Sequence, residues 1–226
     1  MPGARAFAPS LIFLSVVLQN AAGADSRVQE VESYTLGAAE IYSAGSEAEF
    51  TYQLMPALVF FNGTRWQKED IFDAVKTAAE ILGQCGIEIQ SAELHLLNTP
   101  DGFKYFFNPV SRELARIAPF PKPTVYFVKD TLQAERFDAE AIGKSNSRTR
   151  PELRDTVWIA FGAKDLGISL AHELAHVLMD SGEHLGEPEN LMRDETTPQN
   201  TRLNSTQCER MRNQGSENGL LTPIAR

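Results

Sequence analysis

The reading of the fold turns on Ala171-His172-Glu173-Leu174-Ala175-His176-Val177-Leu178-Met179-Asp180-Ser181-Gly182-Glu183-His184. It continues an apolar pattern that begins at Leu166 and places Leu170, Leu174, Val177 and Leu178 at helical spacing, which predicts a helix from Leu166 to about Met179. On that helix His172 and His176 are one turn apart on the same face, where both imidazoles can ligate a single ion. Glu173, next to the first of them, can reach a metal-bound water without being a ligand itself. Three of the chain's 4 histidines fall between positions 172 and 184.

Zinc suits imidazole ligands, and a catalytic zinc site typically has three protein ligands and an open fourth position for water. The metal lowers the pKa of that water to about 7 and polarises a carbonyl, and a nearby carboxylate can take the proton and pass it to a leaving amine. This division of labour explains two His and one Glu occurring together. One zinc per chain is the expectation, with Glu173 as the general base.

Taken together, His172, Glu173, His176, His184 and Met192 resemble the metzincin zinc peptidases. That family carries the motif HExxHxxGxxH, followed by a turn bearing a methionine beneath the metal. The resemblance implies a zincin domain of the α/β (α+β) class, with a twisted mixed sheet, an active-site helix and a C-terminal helix. It implies a zinc-dependent endopeptidase, in which Met192 belongs to the Met-turn. The methionine stands eight residues after His184, the spacing of the matrixin branch.

Two departures from the pattern are plain. Met179 occupies the place of the helix-ending glycine, with Gly182 expected to supply the turn later, and His184 lies eight residues after His176 where the family has six. The third ligand is therefore open between His184 and the carboxylates of Asp180, Glu183, Glu187 and Glu189. His184 is favoured because its imidazole and the Met192 spacing agree. Asp180 is then a candidate for orienting a ligand histidine.

Upstream, Pro56 to Phe61 is a compact apolar run ended by the turn signal Asn62-Gly63. Lys68 to Gln84 reads as an amphipathic helix with Glu69 and Asp70 in its first turn and Gly86 just past its end. Ile87 to Leu97, Thr124 to Val128, Glu140 to Ser145 and Thr156 to Phe161 read as strands. The segment around Ile142 and Gly143 is the expected edge strand, against which an extended peptide would pair by main-chain hydrogen bonds. Asn204, with Gln207 three residues on, suits the start of a last helix. His95, inside an alternating strand, reads as structural.

The N-terminus places Arg5 before an apolar stretch from Leu11 to Leu18 and the small residues Ala22-Gly23-Ala24. This order reads as a signal peptide over residues 1–24, cleaved after Ala24, in a secreted or periplasmic protein. Its apolar run is shorter than the roughly 20 residues a membrane span needs. Residues 25–54 are polar with weak periodicity and fit a leader, a pro-segment or a first strand. Residues 55–226 form the expected catalytic domain.

The net charge of -9, with no dense run of Lys or Arg, provides no electrostatic footprint for nucleic acid or anionic membrane. The partner expected is a peptide or protein substrate, and the oligomeric state is not legible. An exported chain with only Cys85 and Cys208 is expected to join them in a disulfide. Two rival readings share these residues: a zinc hydrolase of non-peptide amides, and a non-catalytic exported protein that holds the metal structurally.

Overall fold

A computed structural model describes residues 27–42, 49–131, 141–144, 151–194 and 196–225. The expected signal segment, residues 1–24, lies outside the described residues. In chain order the elements begin β1 (Gln29–Gly37), α1 (Ala38–Ile41), β2 (Tyr52–Leu54), β3 (Ala57–Phe61), α2 (Lys68–Gly83), β4 (Ile87–Ile89) and β5 (Ser91–Asn98). They continue β6 (Tyr105–Phe106), α3 (Asn108–Ile117), β7 (Thr124–Val128), β8 (Asp130–Thr131) and β9 (Ala141–Lys144). The last are β10 (Thr156–Ala160), α4 (Leu166–Met179), α5 (Ser205–Glu217) and β11 (Thr222–Pro223).

Six strands make the main sheet in the order β1-β5-β3-β7-β10-β9. The four inner strands pair in parallel, and β1 and β9 close the two edges antiparallel to β5 and β10. Parallel strands are covered on both faces, so they read as continuous apolar runs rather than alternating ones. Accordingly every residue of β3, β7 and β10 is buried. Leu58, Phe60, Val125, Phe127, Val157 and Ile159 point to one core with α2, α4 and α5. Val59, Phe61, Tyr126, Val128 and Trp158 point to a second core that includes Phe106 and, from α3, Leu114.

The expected strand from Ile87 to Leu97 is two strands, because its partner is also two. Pro56 has no N–H to continue a ladder, so the chain breaks between β2 and β3. Its neighbour breaks opposite, at Gln90. β4 runs parallel to β2 in a small sheet with β11, whereas β5 runs parallel to β3 in the main sheet. Gln90 N–H donates to the Leu54 carbonyl at the crossover (3.0 Å). Residues 29–37, in the polar leader region, form β1 at the sheet edge, and α3 is a helix that the sequence reading does not anticipate.

Helix α4 packs closely on α2. A Cβ added at Gly167 would lie 2.4 Å from the Thr77 Cβ, so only glycine allows this approach. The disulfide Cys85–Cys208, with Cα atoms 4.8 Å apart, joins the end of α2 to α5. Gln84 reinforces the joint, donating from Nε2 to the Thr201 carbonyl (2.8 Å). At the start of α5, Asn204 and Gln207 form the reciprocal capping box: Gln207 N–H donates to Asn204 Oδ1 (2.9 Å), and Asn204 N–H donates to Gln207 Oε1 (2.8 Å). No described helix is long and apolar enough to cross a membrane.

Candidate metal centre

Helix α4 buries almost its whole length, and His172, Glu173 and His176 are buried with it at 4%, 8% and 7% exposure. The helix runs through Met179, the position where the resembling motif has glycine, and turns one residue later. Asp180 takes the left-handed conformation (φ 48°, ψ 48°), and its N–H bonds back to the carbonyls of His176 and Val177. Aspartate is among the few non-glycine residues that adopt this conformation readily. The turn therefore needs no glycine at 179, and it does not wait for Gly182, whose φ is not positive. That corrects the expectation that Gly182 supplies the turn.

The longer loop after this turn brings His184 back over the helix. Nε2 of His172 and Nε2 of His176 stand 3.0 Å apart, and Nε2 of His184 lies 3.3 Å from the first and 3.1 Å from the second. Imidazole nitrogens about 2.0–2.1 Å from a zinc ion, on three corners of a tetrahedron, would stand about 3.3–3.4 Å apart. The observed triangle is within a few tenths of an ångström of that. Among the described residues these three form the one group of His, Cys, Asp or Glu side chains arranged to share an ion.

The other nitrogen of each ring faces an oxygen. His172 Nδ1–H donates to the Leu191 carbonyl (2.7 Å), and His176 Nδ1–H donates to the Ser181 carbonyl (2.6 Å). His184 Nδ1 lies 2.6 Å from Asp194 Oδ1. A carbonyl cannot donate, so the neutral rings of His172 and His176 carry their proton on Nδ1 and turn their Nε2 lone pairs towards His184 Nε2. Lone pairs this close repel one another unless a cation lies between them. Such outer partners fix ring orientation and raise ligand basicity. Burial pushes the His172 pKa down, and burial together with the neighbouring His172 ring pushes that of His176 down to about 4. Both rings are therefore in the neutral, ligating form at neutral pH.

Three of the four competing carboxylates are engaged elsewhere. Glu183 accepts from Arg210 Nη1 (3.0 Å) and Glu189 from Arg202 Nη1 (3.0 Å). Glu187 accepts from the side-chain amides of Asn190 and Asn204, both at 3.3 Å. Asp180 caps the helix through its backbone, and the Ser181 carbonyl is the oxygen that meets His176. Met192 is fully buried in the main core, and its carbonyl accepts from Leu185 N–H (2.7 Å), next to His184. Ile142 and Gly143 lie in the edge strand β9, opposite Trp158 and Val157, and β9 runs alongside α4. His95 sits in β5, with Nδ1 3.3 Å from Glu30 Oε1 and its ring against Phe120.

Sequence reading does not find Asp194, nor the two backbone carbonyls. Asp194 follows Met192 by two positions, but nothing in that spacing says that the loop returns it to His184.

No protein-family profile matches this chain, and no curated protein matches it. Among solved structures it is similar to metalloproteinase-II from Bacteroides fragilis, with 18% identity and a TM-score of 0.50 over 75% of this chain and 55% of that one. The chain thus spans about half the length of that structure. The likeness shows the fold, a mixed α/β domain like that of the metalloproteinase structure.

Proposed function

We propose that this chain is a secreted zinc-dependent endopeptidase, with His172, His176 and His184 holding one zinc ion and Glu173 acting as general base. The observation that carries the reading is the triangle of three Nε2 atoms at 3.0–3.3 Å, each ring held from behind by an oxygen on its Nδ1. The fold likeness to a protein described as a metalloproteinase supports it. A zinc ion bound there would supply Lewis acidity, which acidifies water to a pKa of about 7 and polarises a substrate carbonyl.

The rest is the work of this chain's own residues. Glu173 follows His172 on α4 and is buried with it; its carboxylate takes a proton from the attacking water and returns it to the leaving amine. An extended peptide adds to the outer edge of β9 near Ile142 and Gly143, which aligns it along α4. Met192 belongs to the turn that floors the site. Export through the segment 1–24 agrees with the Cys85–Cys208 bridge, since disulfides persist in oxidising compartments.

The test is cleavage of an unfolded protein by the purified mature chain, before and after treatment with a zinc chelator. Cleavage that stops on chelation and returns with added zinc supports the proposal. Cleavage indifferent to chelation, or no cleavage by the zinc-loaded protein, overturns it.

A further inference from the structure

The peptide unit that joins Leu191 to Met192 is held from both ends. Its carbonyl accepts from His172 Nδ1–H (2.7 Å), and its N–H, on Met192, donates to Asn190 Oδ1 (2.9 Å). In a trans peptide these two groups point in opposite directions. The Asn190 side chain therefore fixes the rotation of the one peptide plane that orients His172. The Asn190 amide is itself pinned: Gln207 Nε2 donates to its Oδ1 (2.9 Å), and its Nδ2 donates to Gln207 Oε1 (3.1 Å) and to Glu187 Oε2 (3.3 Å). Both amides are buried, at 3% and 6% exposure. Gln207 is anchored in turn by the capping box on Asn204 and by its neighbour Cys208, disulfide-bonded to Cys85.

From this geometry we infer that Asn190 and Gln207 are a positioning pair for the metal centre, setting the Leu191 carbonyl that aims His172. The inference rests on the zinc reading of the three histidines. Neither residue touches the ion or the substrate. Buried hydrogen-bond chains strengthen one another and leave little freedom when every member is satisfied, as every polar atom of this amide pair is. The two amides thus carry the rigidity of α5 to the face of α4 that bears His172.

The experiment measures the zinc dissociation constant by competition with a chromophoric chelator, on folded protein at fixed pH. The variants are Asn190→Ala, Gln207→Ala, the double substitution, Asn190→Ser and Leu114→Ala. Direct outer partners of ligand histidines are worth roughly 10- to 100-fold in metal affinity; Asn190 and Gln207 act one and two contacts further out, so each single alanine variant is expected to weaken zinc binding by up to about 10-fold, Asn190→Ala the more strongly. Because the two amides act as one unit, the double variant loses less than the product of the two. Asn190→Ser keeps an oxygen able to accept the Met192 N–H and is expected to bind zinc more tightly than Asn190→Ala. Leu114→Ala destabilises the core on the other face of the sheet and is expected to bind zinc like the wild type.

Wild-type affinity in both single variants, or an equal loss in Leu114→Ala, overturns the positioning role while leaving the zinc site standing. A wild-type chain that binds no zinc, or a His176→Ala chain that binds it as tightly, overturns the zinc reading and this inference with it.

Discussion

Breaking the Cys85–Cys208 bridge is expected to remove a large part of the stability of the domain. The two cysteines are 123 residues apart in sequence, so the cross-link closes most of the fold into one loop. The chain-entropy relation assigns such a loop about 5 kcal/mol at 25 °C, within the ~2–5 kcal/mol seen when native disulfides are removed. A whole domain has only about 5–15 kcal/mol. We therefore expect Cys85→Ala/Cys208→Ala to lose about 3–5 kcal/mol in urea unfolding, and its melting temperature to fall by roughly 10–15 °C. Wild-type protein kept reduced should match the double variant. Both cysteines are buried against α2 and α5, so alanine fits and adds little strain of its own. A loss below about 1 kcal/mol, or a reduced wild type as stable as the oxidised one, would refute the view that the bridge holds α5 onto the domain.

Three further outcomes follow from particular contacts. Asp194→Ala removes the carboxylate 2.6 Å from His184 Nδ1, so zinc affinity measured by chelator competition should fall roughly 10-fold or more; unchanged affinity would show that the loop alone places His184. Gly167→Ala should gain about 1 kcal/mol of helix propensity but force α4 off Thr77, where the new Cβ would sit at 2.4 Å. A net loss of about 1–2 kcal/mol in urea unfolding is expected, and a stabilised variant would contradict the close crossing. Lys122 is partly buried, and desolvation lowers its pKa from 10.5 to about 8. Because the folded value is below the unfolded one, the charged amine destabilises the fold fully below about pH 8 and not at all above about pH 10.5. Lys122→Met should then be more stable than the wild type by on the order of 1–3 kcal/mol at pH 7, with the gain vanishing towards pH 10.5. A pH-independent difference would place the effect in packing instead.

The elements that were legible in sequence are those whose burial leaves a pattern. β3, β7 and β10 are continuous apolar runs because helices cover both faces of the sheet, and α4 shows its period and its two histidines together. β1 is not legible, since a solvated edge strand such as Gln29–Gly37 buries only Leu36 and has no apolar face to alternate. α3 is short and commits only Ser111, Leu114 and Ala115 to the core, too few to show a helical period. The break at Gln90 is dictated by the neighbouring strand's break at Pro56, which a reading of Ile87 to Leu97 alone does not contain. At the site, residue types and spacing indicate His172, Glu173 and His176, because one helix carries all three. His184 competes with four carboxylates until the loop closes. Asp194, the Leu191 carbonyl and the Asn190–Gln207 pair act through tertiary contacts that leave no periodicity behind them.

The measurement that tests the central claim most directly is zinc content together with cleavage of an unfolded protein substrate, for the wild type, Glu173→Ala and His176→Ala. The account expects one zinc per chain in the wild type and in Glu173→Ala, little in His176→Ala, and cleavage in the wild type alone. A wild-type chain that purifies without zinc and takes none up, or a Glu173→Ala chain that cleaves as fast as the wild type, would contradict it.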